Sequence, residues 1–225
     1  MRLTVYNGSP RGKNSNTKRL MEHFSRGFME QPDCQVEMAY LNRTRELENQ
    51  VKMFAQAEHV ILAFPLYTDA MPAIVKNFIE ALEPLRGHAE NPSLGFIVQS
   101  GFPEPAHSRY VERYLVKLAS RLACAYYGTA IRGGVEGIRM QPDWMTKKLF
   151  KYFYQLGKCY SSDKGFDEGI LLRLAPWEKL PWTRLTFLRL FNKLGPGNMY
   201  WDHQLKDNNA FEQRFARPFV EELNE

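Results

Sequence analysis

The sequence predicts an open α/β fold, with a parallel sheet covered by helices on both sides. Two observations predict it. Short apolar runs alternate with helical repeats through about residue 140, and each run ends in a loop rich in Gly, Pro, Ser or Asn. One run, Val60-Ile61-Leu62-Ala63-Phe64, is apolar without interruption, as suits a central strand buried on both faces.

The elements follow in order. Leu3 to Tyr6 is a first strand ending at Asn7-Gly8, and a polar loop over 8–17 leads into a helix. Leu20, Met21, Phe24 and Phe28 share one face of that helix, with Ser15 or Asn16 as its N-cap. Val36 to Leu41 is a second strand, and Leu47, Val51 and Phe54 mark a second helix. The third strand, Val60 to Phe64, breaks at Pro65, and Pro72 opens a helix whose buried stripe is Ile74, Val75, Phe78, Ile79 and Leu82. Leu94 to Val98 is the fourth strand. An amphipathic helix through Tyr110, Leu115 and Leu122 follows it, and then the fifth strand from Ala125 to Ile131. Crossovers between parallel strands are right-handed. Ligands of such sheets sit beyond the carboxyl ends of the strands, so the loops 8–17, 65–72, 99–105 and 132–139 should converge on a site.

After residue 140 the alternation stops. The division expected is a core over 1–140 and a mostly helical C-terminal extension over 141–225, packed on the core or on a partner. Trp144 to Tyr160 reads as a helix apolar nearly all round. The stretch 176–194 carries Trp177, Trp182, Phe187, Leu190 and Phe191, and a partner copy or the chain's own sheet could cover it.

Composition excludes several classes. The 225 residues hold 30 Lys and Arg against 25 Asp and Glu, a net charge of +5. The excess is spread, 17 against 14 through residue 140 and 13 against 11 beyond it, with no basic tract to suggest nucleic acid. No run approaches the roughly 20 apolar residues of a membrane span, and membrane-surface contact is not the favoured reading. The first strand begins at the N-terminus with no secretory signal before it, which together with scattered thiols makes the cytoplasm the expected compartment. Cys34, Cys124 and Cys159 are too few for a zinc site, and the five histidines show no ligand spacing, so no metal is expected.

The first loop carries the chemistry. A helix N-terminus offers free N–H groups and partial positive charge. Here Ser9, Ser15, Asn16 and Thr17 add polar side chains, and Arg11 and Lys13 add charge. That is a phosphate cradle in composition and position. It is not a Walker loop: the spacing from Gly8 to Gly12-Lys13 is one residue short, and Asn14 stands where a magnesium ligand should be. The Gly-x-Gly-x-x-Gly dinucleotide fingerprint is absent as well.

The motifs Asn7-Gly8-Ser9-Pro10-Arg11 with Ser15-Asn16-Thr17, then Phe64-Pro65-Leu66-Tyr67 with Met71-Pro72-Ala73 and Lys76-Asn77-Phe78, resemble those of the flavodoxin-like NAD(P)H-dependent FMN reductases and quinone reductases. The resemblance covers residues 3–83 well and is looser through 135. It implies a three-layer flavodoxin-like fold with strand order 2-1-3-4-5. It also implies FMN as cofactor and NADPH or NADH as donor. Ser9, Arg11, Ser15, Asn16 and Thr17 would hold the phosphate. Pro65, Leu66, Tyr67 and Thr68 would line the isoalloxazine ring, with Asp69 and Met71 near it. Ser100, Gly101 and Phe102 would form a third wall. Hydride would pass from nicotinamide to flavin N5 and on to a small-molecule acceptor: a flavin, a quinone, a nitro compound or an azo compound. Such chemistry needs positioning and water exclusion rather than a protein nucleophile, so no catalytic acid or base is assigned. A homodimer is expected. The alternative function is a flavin-binding electron-transfer or redox-sensing module without nicotinamide turnover. His107 and Glu104 read as part of a helix start.

Overall fold

The structure is a computed structural model, and it describes residues 1–163, 165–193 and 198–217. Five strands form one parallel sheet: β1 Arg2–Asn7, β2 Gln35–Tyr40, β3 His59–Pro65, β4 Ser93–Gln99 and β5 Tyr126–Arg132. Their order is β2-β1-β3-β4-β5, as the resemblance implied. The helices of the alternating part are α1 Asn16–Phe28, α2 Leu47–Ala55, α3 Ala73–Ala81 and α4 Arg109–Arg121. Beyond them lie α5 Asp143–Asp163, α6 Glu168–Leu174, α7 Trp182–Lys193 and α8 Met199–Asp207.

The period of two along the strands sorts the core into two faces. On one face Tyr6, Val60, Leu62, Phe64, Phe96 and Val98 pack with Phe54, Phe78 and Leu115 of α2, α3 and α4. On the other, Leu3, Val5, Ile61, Ala63, Ile97 and Ala130 pack with α1, α5 and α6. The central strands are buried on both sides, which is why β3 and β4 read as unbroken apolar runs.

Beyond residue 140 the chain first adds two helices to the core, α5 and α6. Two compact units exist, Met1–Lys179 and Leu180–Glu225. The physical reason is the second face of the sheet, which α1 does not cover alone. Leu149, Phe153, Leu156 and Tyr160 of α5 and Ile170 and Leu174 of α6 are buried there. The α1–α5 crossing is close. A Cβ on Gly157 would lie 2.9 Å from both the Phe24 carbonyl carbon and the Phe28 nitrogen, and one on Gly27 would lie 2.8 Å from the Tyr154 carbonyl carbon. Tyr160 lies against Phe24 and Phe28 with ring centroids 5.8 and 6.2 Å apart, and Lys158 pairs with Glu30 at 2.9 Å. Burial pushes the Tyr160 phenol well above its usual range. The end of the first unit is tied to α4. Arg109 donates to both Glu178 carboxylate oxygens at 2.6 to 3.2 Å and to Glu112 at 2.8 Å, and the Arg109 hydrogen bond holds the Glu178 carboxyl below its usual pKa.

The second unit, as far as it is described, consists of α7 and α8 and the turns after them. Trp182 (75% exposed), Phe187, Leu190, Met199, Trp201 and Phe215 are exposed on it. The Phe191 side chain and residue 194, included in the sequence reading of this stretch, lie outside the described residues, as do 164, 195–197 and 218–225 of the expected extension. Among the described residues no helix is long and apolar enough to cross a membrane.

Candidate functional site

The four loops at the carboxyl ends of β1, β3, β4 and β5 meet. The Leu66 N–H donates to the Gln99 carbonyl at 2.7 Å, joining the third loop to the fourth. Ser100 N–H donates to Arg132 carbonyl and Val135 N–H to Ser100 carbonyl, at 3.0 and 2.9 Å, joining the fourth to the fifth. Asn16 closes the circle by donating to the Val135 and Glu136 carbonyls at 2.9 and 3.1 Å.

The β1–α1 loop is built around Asn7, which is fully buried at the strand end. Its amide donates to the Gly12 carbonyl and to Ser15 Oγ, and its Oδ1 accepts from the Ser9 N–H at 2.9 Å. Gly12 turns at φ +52°, in the left-handed region, where any other side chain would be strained and would have to push the Asn42 amide aside. Of the two N-cap candidates the structure selects Ser15. Its Oγ accepts from the Lys18 N–H at 3.1 Å and donates to the Gly12 carbonyl at 2.7 Å. The Ser15 hydroxyl proton is therefore committed inside the loop, and an anion would meet this residue through its main chain. The Asn16 amide protons are likewise committed to the fifth loop, whereas its Oδ1 is buried with no hydrogen-bond partner. Thr17 is buried, and its Oγ1 accepts from Gln99 Nε2 at 3.4 Å, which leaves the hydroxyl proton to give. Ser9 is buried beside them. Arg11 is half-exposed and pairs with Glu136 at 3.1 Å.

The β3–α3 loop is a tight turn. The Tyr67 N–H donates to the Ala70 carbonyl at 2.8 Å, and the Ala70 N–H donates back at 3.0 Å. Thr68 and Asp69 between them have φ +49° and +59°. Positive φ at both central positions is a type I′ turn. Gly, Asn and Asp favour that conformation, and a β-branched Thr is strained in it. The N–H groups of Thr68 and Asp69 take no part in the turn's own pair of bonds. Pro65 ends β3, Leu66 is buried, Tyr67 is 45% exposed and Met71 is half-buried. Replacing Thr68 with Gly should raise stability to denaturant by about 1 kcal/mol, because the left-handed penalty exceeds the added chain entropy. An unchanged or lowered denaturation midpoint would show that the turn holds no such strain.

In the β4–α4 loop Ser100 Oγ donates to the Phe102 carbonyl at 2.9 Å, and Phe102 is 55% exposed. Its ring stacks on His107, centroids 4.7 Å apart. His107 lies in the short turn Pro105–Ser108 that leads into α4. It also reaches across to the third loop, with Nδ1 3.1 Å from Asp69 Oδ1. The structure thus groups Ser9, Arg11, Ser15, Asn16 and Thr17 at one end of the site. Pro65 to Met71 and Ser100 to Phe102 stand at the other. Four contributors were not singled out by the sequence reading: Asn7, Gln99, Glu136 and the link from His107 to Asp69. Asn7 had a signal, an amide at a strand end directly before Gly8. Glu136 had none, since only the fold brings it to Arg11.

Residues 1–84 match the model of a family described as flavodoxin-like fold. The strand order and the helices on both faces agree, so the chain has the flavodoxin-like fold that its first 83 residues resemble. Among solved structures it is similar to an FMN-dependent NADH-azoreductase from Bacillus anthracis in complex with FMN, at 12% identity and TM-score 0.56, covering 72% of this chain and 100% of that one. It is similar to an NAD(P)H:quinone oxidoreductase from Methanothermobacter marburgensis at 14% identity and TM-score 0.56, covering 70% and 98%. An NADPH-quinone reductase from P. pentosaceus is 19% identical with TM-score 0.52, covering 69% and 96%. No curated protein sequence matches the chain.

Proposed function

We propose that this protein is an FMN-dependent NAD(P)H oxidoreductase that passes electrons to a small-molecule acceptor such as a quinone or an azo compound. One observation carries the proposal: a buried set of hydroxyl groups and a helix N-terminus stand at one end of a site whose other end exposes flat apolar side chains. The donor set fits the cofactor. Thr17 Oγ1 has a proton to give, Ser9 is buried in the same loop, and the N–H groups of Asn16 and Thr17 have no partner within the helix, that of Lys18 being capped by Ser15. Arg11, paired with Glu136, adds a cation. These residues would hold the phosphate, with Ser15 and Asn16 contributing main-chain N–H. Asn16 Oδ1, buried and unpartnered, is an acceptor suited to a hydroxyl of the ribityl chain.

Pro65, Leu66, Tyr67 and Met71 would border one edge of the ring, and Gly101 and Phe102 the other. The main-chain groups of Thr68 and Asp69 would meet its polar edge. When bound, FMN supplies acceptance of a hydride from NAD(P)H and its delivery to the acceptor. The chain's part is to orient both partners against one ring face and to keep water away. The named relatives act on azo compounds and quinones, which supports this acceptor class. The proposal includes a homodimer, with the exposed aromatic residues of the second unit buried between copies.

The test is reconstitution with FMN, desalting and a visible absorbance spectrum. Equimolar flavin bands are expected, followed by NAD(P)H oxidation when a quinone is added. A colourless protein overturns the proposal. Bound flavin without NAD(P)H turnover would leave an electron-transfer module.

A further inference from the structure

The fifth loop does more than approach the phosphate end; it is fastened over it. Gly133 lies so close to the fourth loop that a Cβ would sit 2.6 Å from the Pro103 carbonyl oxygen, and the Gly134 N–H donates to the Phe102 carbonyl at 2.9 Å. The chain then crosses to the first loop. Asn16 holds the carbonyls of Val135 and Glu136, and Arg19 donates to the Ile138 carbonyl at 3.5 Å. The Glu136 side chain ends on Arg11 Nη2 at 3.1 Å. Its own Cβ stands 3.5 Å from where a Cβ on Gly101 would be. Glu136 therefore lies between the phosphate end and the ring end of the site, with its charge directed at the phosphate end.

A carboxylate presents an arginine with the same fork of anionic oxygens that a phosphate does. Within the FMN reading, on which this inference rests, two anions compete for one guanidinium. We propose that Glu136 sets the affinity and phosphate selectivity of the cofactor site by holding Arg11 until the phosphate of the incoming flavin displaces it. The backbone clasp through Asn16 keeps the Glu136 main chain in place during that exchange, so only the side chain moves. The carboxylate is a tethered counterweight: it opposes every ligand that brings negative charge to α1 and is indifferent to one that does not.

FMN and riboflavin share the ring and the ribityl chain and differ only in the phosphate. The experiment titrates both into the wild-type protein and into Glu136→Gln, reading quenching of flavin fluorescence. Glutamine keeps the side-chain shape and leaves the backbone clasp intact, and unchanged thermal unfolding of the ligand-free variant would confirm an intact fold. FMN affinity is expected to rise about fivefold in the variant, the scale of one exposed ion pair, while riboflavin affinity stays the same. A fall in FMN affinity would show that Glu136 poises Arg11 for the phosphate, and would overturn the proposal. An equal rise for both flavins would point to general loosening of the loop and would also overturn it. If neither flavin binds either protein, the FMN reading itself fails and takes the inference with it.

Discussion

Replacing Gly157 with Ala should destabilise the protein by about 3 kcal/mol or more, near the upper end of what overpacking costs. The sign is informative. On an exposed helix the same change would stabilise by about 1 kcal/mol, since Ala is the better helix former. Here the added methyl would meet main-chain atoms of α1 at Phe24 and Phe28, and main chain does not rotate out of the way. The helices would have to separate, loosening Phe24, Phe28 and Tyr160 together, all of them fully buried. Gly27→Ala should behave alike, because its Cβ would strike the α5 backbone at Tyr154 and Lys158. The double variant should cost less than the sum, since the first change already parts the helices. Chemical denaturation of the three variants measures this. A cost under 1 kcal/mol for Gly157→Ala would mean the crossing gives easily.

The second large effect concerns the cofactor. Arg11→Ala combined with Thr17→Ala should weaken FMN binding by about 100-fold, since a hydrogen bond to a charged group contributes roughly 1.5–3 kcal/mol. Riboflavin should bind the double variant as it binds wild type. Arg11 is half-exposed and its ion pair with Glu136 lies at the surface, so that change costs the fold little. Thr17 is buried beside Gln99, and its truncation should lower the melting temperature somewhat. Tight FMN binding by the double variant would place the phosphate elsewhere.

The alternating part of the fold was legible because burial on both faces leaves an unmistakable mark, as in Val60 to Phe64. The polar loop that leads into α1 was legible because its hydroxyl and amide side chains are contiguous in sequence, from Ser9 to Thr17. What was not legible depends on distant pairs. No local pattern tells that the Ser15 hydroxyl is spent on Gly12 and Lys18, or that Asn16 faces residues more than a hundred positions away. The packing of the helices beyond residue 140 was open for a similar reason. α5 is not apolar all round, as its sequence reads, but exposes Lys147, Lys148, Lys151 and Lys158 and buries Leu149, Phe153, Leu156 and Tyr160, and such a stripe carries no sign of which surface it covers.

The glycine crossing has a consequence for the timing of assembly. α1 carries the polar loop of the candidate site at its N-terminus, and the face of α1 that fixes its position is completed by a helix ending at Asp163. During synthesis the first strands and α1 emerge early, yet the sheet face beneath them stays uncovered until α5 has been made. The pairing of α1 with α5 is among the longest-range contacts of the first unit, and contacts of that kind form late. A nascent chain stopped before α5 would expose Leu3, Val5, Ile97 and Ala130 with only α1 above them. The polar loop and the helix behind it are made early and held in place late.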